Sequence, residues 1–194
     1  MKYILILFCL ISITAEAQNK YGLTPVKLEA YKKSIVTNPQ NELVNLEKFI
    51  PGLKLDIRYA TANNFTGEKI YTMARAYARK PVAESLKKIQ ADLKKQGLEL
   101  KIYDGYRPYS ATVKFYETYH DTTYVASPYK GSRHNRGCAL DLTVIDGKTG
   151  AELEMPTGYD SFKKEAWPTT PVRDPTIRKN RQLLIDAMEK HGFK

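Results

Sequence analysis

Apolar positions along this chain recur with two periods, and the switch between them marks the elements. Across 81–96, Val82, Leu86, Ile89 and Leu93 are spaced four, three and four apart, which is one stripe of an amphipathic helix. Pro81 suits the first turn and Gly97 the end, so the spacing predicts a helix over 81–96. Residues 98–103 then alternate and read as a strand, as do the shorter runs 43–46 and 53–59, which are split by Pro51-Gly52. Residues 138–145 predict a further strand with Leu140, Leu142 and Val144 on its core face and Ala139, Asp141 and Thr143 on the other. Asp146-Gly147 opens a turn into a short strand over 151–153. Ser110 is placed to cap a helix running to about Tyr119, and Asp174 to cap a final helix with Pro175 at its first position, continuing through Ile177, Leu184, Ala187 and Met188 to Gly192. Hairpin strands and separated helices predict an α+β fold: a single domain with a central, mainly antiparallel sheet flanked by helices. The final helix ends beside the last residue, so the sheet is expected to lack a C-terminal strand.

The opening segment has its own pattern. Lys2, the apolar run 4–13 and Ala15-Glu16-Ala17 make up a signal peptide over 1–17. Cleavage after Ala17 would release a soluble domain over 18–194, exported to the periplasm or secreted, with no stable membrane span. Cys9 leaves with the leader, so Cys138 is the one cysteine of the mature chain and cannot form an internal disulfide.

Charge adds one constraint. The formal net charge is +10, yet the lysines come as scattered pairs such as Lys87-Lys88 and Lys94-Lys95, which fall on the polar face of the 81–96 helix. That pattern, with the expected export, argues against a nucleic-acid partner and fits a weak attraction to an anionic cell envelope.

The densest chemistry is in Gly131-Ser132-Arg133-His134-Asn135-Arg136-Gly137-Cys138-Ala139-Leu140-Asp141. Asp141 is a carboxylate in an apolar strand, which is costly unless a cation or several donors meet it. One reading converges His134 and Asp141 on a zinc ion. The other pairs Asp141 with Arg133 or Arg136, beside a surface histidine. In Asp104-Gly105-Tyr106-Arg107-Pro108, Arg107 is either a fork of donors held ready for an oxyanion or the local ion-pair partner of Asp104. The stretch 56–67 is a strand running into an Asn-rich turn, and Asn64-Phe65-Thr66 is a glycosylation sequon that matters only in a eukaryotic secretory pathway. Cys138 as a nucleophile beside His134 is disfavoured, because alternation turns it toward the core. His120 and His191 are expected on the surface.

Together these segments resemble the VanX-like D-alanyl-D-alanine dipeptidases. The Ser-x-His-x-x-Gly-x-Ala-x-Asp signature stands as Ser132, His134, Gly137, Ala139 and Asp141, and the Asp-Gly-Tyr-Arg-Pro and Tyr-Ala-Thr…Asn-Phe-Thr-Gly segments extend the likeness from Leu53 to the end. The resemblance implies one Zn2+ per chain with His134 and Asp141 as ligands, and Arg107 stabilising the transition state. It also implies that Tyr59, Ser132 and Asp160 hold the termini of a small dipeptide, with Asp160 near the ammonium. That family takes its third ligand and general base from a Glu-x-x-His motif beyond the last helix, which this sequence lacks; the expectation is that the natural chain continues past Lys194, the alternative being natural loss of the motif. The implied function is hydrolysis of D-alanyl-D-alanine in the cell envelope. The rivals are a D,D- or L,D-carboxypeptidase acting on peptidoglycan stems and a non-catalytic wall-binding module.

Overall fold

A computed structural model describes residues 20–194, so the expected leader over 1–17 lies outside the described residues. Helix α1 (Leu28–Thr37) leads to β1 (Leu43–Asn45), and α2 (Leu46–Phe49) follows at once because the Asn45 side chain accepts from Lys48 N and caps it. Strand β2 (Lys54–Leu55) is short, and β3 (Tyr77–Arg79) runs straight into α3 (Lys80–Lys94). Then come β4 (Leu98–Asp104), α4 (Tyr109–Thr118), β5 (Asp141–Asp146) and α5 (Pro175–Glu189). Strands β1 and β3 form an antiparallel pair, while β2, β4 and β5 form a second sheet in that order, parallel between β2 and β4 and antiparallel between β4 and β5. The architecture is the α+β fold that the patterning predicts.

The stripe on α3 explains how the sheet is covered. Leu86, Ile89 and Leu93 are buried against Leu100 and Ile102 of β4 and Val144 of β5, while Lys87, Lys88, Lys94 and Lys95 stay exposed. Each such aliphatic side chain contributes about 1.5–3 kcal/mol by leaving water. A second, aromatic cluster forms around Tyr59, Phe115 and Val125.

Several elements differ from their expected form, each for a local reason. The strand expected over 53–59 stops at Leu55: Asp56 N still bonds Ile102 O, but Arg58–Ala60 then coil into a 3-10 turn that drops Tyr59 into the aromatic cluster. Ser110 does not cap α4, which starts at Tyr109 behind Pro108 without a side-chain cap. The ladder of β5 begins at Asp141 rather than Cys138, because β4 ends at Asp104, the partner of Asp141, and pairs with nothing before it. Cys138 is therefore exposed, contrary to its expected core position. The strand expected over 151–153 is reduced to one bridge, Ile145 with Glu152. Asp174 does cap α5, accepting from Thr176 N and Ile177 N, with Pro175 first in the helix. His120 is exposed and edge-on to Tyr116, as expected. His191 is half-buried rather than fully exposed: its Nε2 lies 3.0 Å from Asp92 Oδ2 and ties the end of α5 to α3. Among the described residues no helix is long and apolar enough to cross a membrane.

Candidate active site

The sheet itself brings the acids together. Strand β4 ends at Asp104, β5 begins at Asp141, and the antiparallel ladder sets these two residues opposite each other across an irregularity between Ile102 and Asp104. The turn His134–Arg136 sits just before β5, and two close approaches fix its position. At Gly137 the backbone is left-handed, and a Cβ there would lie 2.5 Å from Leu43 Cδ2 and 3.2 Å from Arg79 N. At Gly105 a Cβ would lie 2.6 Å from Tyr77 O. Only glycine fits either place, and the carbonyl of Gly105 lies 2.9 Å from His134 Nδ1.

A carbonyl can only accept, so Nδ1 donates to it, and the neutral ring then presents its lone pair at Nε2. That nitrogen stands 3.5 Å from Asp141 Oδ1. Two ligands each about 2.0–2.2 Å from a tetrahedral ion lie about 3.3–3.6 Å apart, so the pair is spaced to share one divalent cation. Asp141 Oδ1, His134 and an oxygen of Asp104 form the one group of such donors within 4.8 Å of one another among the described residues.

Asp104 belongs to that group by distance but is filled by protein donors. Its Oδ2 accepts from Arg107 Nε at 3.0 Å and Nη2 at 2.8 Å, and its Oδ1 from Gly105 N at 2.8 Å and the Tyr71 hydroxyl at 3.0 Å. It therefore anchors Arg107 and leaves ligation to His134 and Asp141. Arg107 is buried with it, its guanidinium 4.7 Å from the Phe115 ring centre and 5.5 Å from that of Tyr59, and its Nη2 reaches to 3.6 Å from Asp141 Oδ2. The ion pair with Asp104 and the approach to Asp141 thus coexist in one side chain. The partner of Asp141 is Arg107 and not Arg133 or Arg136.

With the imidazole in the neutral form a metal ligand needs, two carboxylates face one guanidinium, leaving one negative charge that a bound cation would offset. Burial acts against the charged forms of both His134 and Asp141. Their mutual contact outweighs it, raising the imidazole and holding the Asp141 carboxyl below the ordinary carboxylate range.

The other predicted residues take different places. The Tyr59 hydroxyl donates to Asp160 Oδ2 at 2.5 Å. Among the described residues Asp160 alone, apart from glycines, has a positive φ, at 57°. Burial pushes its carboxyl up to about 6, with the Tyr59 hydrogen bond acting the other way. Ser132 shapes the loop: its Oγ accepts from His134 N at 3.2 Å and its own N–H bonds Asn135 Oδ1 at 2.7 Å. Asn135 also donates to Arg107 O at 2.9 Å and Thr112 Oγ1 at 2.8 Å, locking the histidine loop to the arginine turn. The sequence reading passed over Asn135, Tyr71 and Tyr159. Asn135 at least lay inside the signature, whereas nothing distinguishes Tyr71 and Tyr159 from the other tyrosines. A groove of about 1010 Å³ runs along the outer edge of β5, bordered by Cys138, Asp141, Glu152, Tyr159, Asp160 and Met188.

A histidine and a carboxylate turned onto one point, backed by a buried arginine and open to a groove, is a site of the metal-assisted hydrolase class. Comparison with known proteins narrows the class. The chain belongs to the M15 peptidase family described as D-ala-D-ala dipeptidase, whose profile matches residues 39–194. It is 37% identical over 152 residues to the D-alanyl-D-alanine dipeptidase of Escherichia coli K12, covering 78% of each chain. It is 28% identical over 174 residues to the D-alanyl-D-alanine dipeptidase of Enterococcus faecalis, covering 79% of this chain and 86% of that one.

Proposed function

We propose that this protein is a zinc-dependent dipeptidase that hydrolyses D-alanyl-D-alanine in the cell envelope. The observation that carries the reading is the 3.5 Å separation of His134 Nε2 from Asp141 Oδ1, with the imidazole held by the Gly105 carbonyl. His134 and Asp141 would hold the ion; when bound, zinc polarises the scissile carbonyl and brings the pKa of its water toward about 7. Asp104 takes Nε and Nη2 of Arg107, which leaves Nη1 to meet charge developing on the carbonyl oxygen. Asp160, braced by Tyr59, would receive the substrate ammonium, and Ser132 would act through the loop that presents His134. An envelope location is supported by the leader pattern over 1–17 and by the +10 charge.

The test is release of D-alanine by the full-length protein loaded with zinc. Cleavage of D-alanyl-D-alanine, abolished by a chelator and restored by zinc, is the expected result. Cleavage of N-acetylated or extended peptides would assign a carboxypeptidase instead, and chelator-resistant binding to peptidoglycan without cleavage would assign a wall-binding module.

Asp160 supplies a pH prediction. Only its carboxylate form attracts an ammonium, so 1/KM should climb as pH rises from 5 to 7 and level off above the carboxyl's value of about 6. Asp160→Asn should remove that rise and increase KM about 10–100-fold, the loss of one charged hydrogen bond worth about 1.5–3 kcal/mol. Stability should move the other way. The folded carboxyl binds a proton more tightly than the unfolded one, so between the ordinary carboxylate range and about pH 6 this group costs stability as pH rises. Asp160→Asn should therefore raise the thermal midpoint at pH 7 more than at pH 4.

A further inference from the structure

Three hydrogen bonds converge on the side chain of Asn135, and the partners fix which end of the amide is which. Oδ1 accepts from Ser132 N at 2.7 Å, while Nδ2 donates to Arg107 O at 2.9 Å and to Thr112 Oγ1 at 2.8 Å. A backbone N–H can only donate and a carbonyl only accept, so the amide has one orientation. The bond to Arg107 O fills a place that helix α4 leaves open. The N–H groups of Ala111 and Thr112 in its first turn both go to Pro108 O, one residue further on. The other end of Arg107 is held by the same loop, its N–H donating to His134 O at 3.1 Å. Residues 134 and 135 thus grip Arg107 at both of its backbone polar groups.

That grip joins the two halves of the site. Asp104 anchors the Arg107 guanidinium at the end of β4, so what the grip decides is where the His134 loop sits against it. One bond between two segments fixes a distance, whereas two bonds at opposite ends of one residue also fix an orientation. Apolar packing does not supply it, because Asn135 is half-buried and belongs to neither core cluster. We propose that Asn135 is a positioning residue: it keeps the loop that presents His134 in register with the Arg107 turn, so that the metal seat and the guanidinium face one scissile carbonyl. The assignment rests on the dipeptidase reading and extends it to a residue that touches no substrate.

The experiment compares full-length wild type, Asn135→Ala and Leu93→Ala, the last a core truncation under α3 that lowers the thermal midpoint without touching the loop. Zinc affinity, measured by competition with a chromogenic chelator, should be about tenfold weaker in Asn135→Ala and within about twofold of wild type in Leu93→Ala. At saturating zinc, kcat for D-alanyl-D-alanine should fall about 10–100-fold in Asn135→Ala with KM within about threefold, and stay near wild type in Leu93→Ala. Placed in the Arg107→Lys background, Asn135→Ala should cost kcat less than about threefold more, because the register it keeps serves that guanidinium. If Asn135→Ala does not fold, Asn135→Asp takes its place in the kcat measurements: it still accepts from Ser132 N but turns an oxygen toward Arg107 O, so the same loss of kcat is expected. Unchanged zinc affinity, unchanged kcat, an equal kcat loss in Leu93→Ala, or the full loss repeated in the Arg107→Lys background would each overturn the assignment. The zinc measurement keeps the two readings separate. A wild type that binds zinc yet leaves D-alanyl-D-alanine uncut removes the dipeptidase activity, while the affinity of Asn135→Ala still decides the role of Asn135.

Discussion

Replacing His134 with alanine should lower kcat/KM for D-alanyl-D-alanine by about 10³–10⁴, the equivalent of the several kcal/mol that a bound metal contributes to charge stabilisation. The expectation follows from how little else competes for the ion. Asp104 has its oxygens engaged by Arg107, Gly105 and Tyr71, so removal of the imidazole leaves Asp141 as the sole uncommitted donor of the cluster. One carboxylate does not hold zinc against water, and metal content after dialysis should fall with the activity. The fold should survive, because His134 lies in the loop before β5 and belongs to neither apolar cluster. Circular dichroism and metal analysis on the same sample therefore separate lost ligation from lost structure. Asp141→Asn should behave alike. A variant that kept its zinc and stayed within tenfold of wild-type activity would show that the 3.5 Å pair is not the metal seat.

How much of this could be read from the residues alone depends on which physical signal each one carries. The α3 stripe and the Asp174-Pro175 start of α5 were legible because period and capping are local properties, and both formed as the spacing implied. The 53–59 run was not. Its alternation was good enough for a strand, but Tyr59 packs on Phe115, 56 residues further along the chain, and that tertiary demand bends the backbone after Leu55. Cys138 was misplaced because alternation was carried back to it from Leu140, whereas the ladder starts only at Asp141, opposite the end of β4. At the site, spacing could not decide between a cation and an arginine as the partner of Asp141. The deciding feature is the β4–β5 register, which sets Asp104 opposite Asp141 and so brings Arg107 to it.

Arg107 carries the second large prediction, because stability and catalysis meet in one side chain. Arg107→Ala should cost about 3–5 kcal/mol of unfolding free energy, since it strands the buried Asp104 carboxylate without its partner. A loss of activity in that variant could then be mere unfolding. Arg107→Lys is the sharper instrument: it keeps the positive charge but cannot reproduce the planar fork that gives Nε and Nη2 to Asp104 while leaving Nη1 over. The lysine variant should remain folded, with a urea midpoint below that of the wild type, yet its kcat should fall about 10²–10³, the typical loss when one donor to a developing oxyanion is removed. KM should move far less, because that charge exists only in the transition state. If folded Arg107→Lys instead held its kcat within a few-fold, Arg107 would be a buried strut for Asp104, and some other donor would have to meet the carbonyl oxygen.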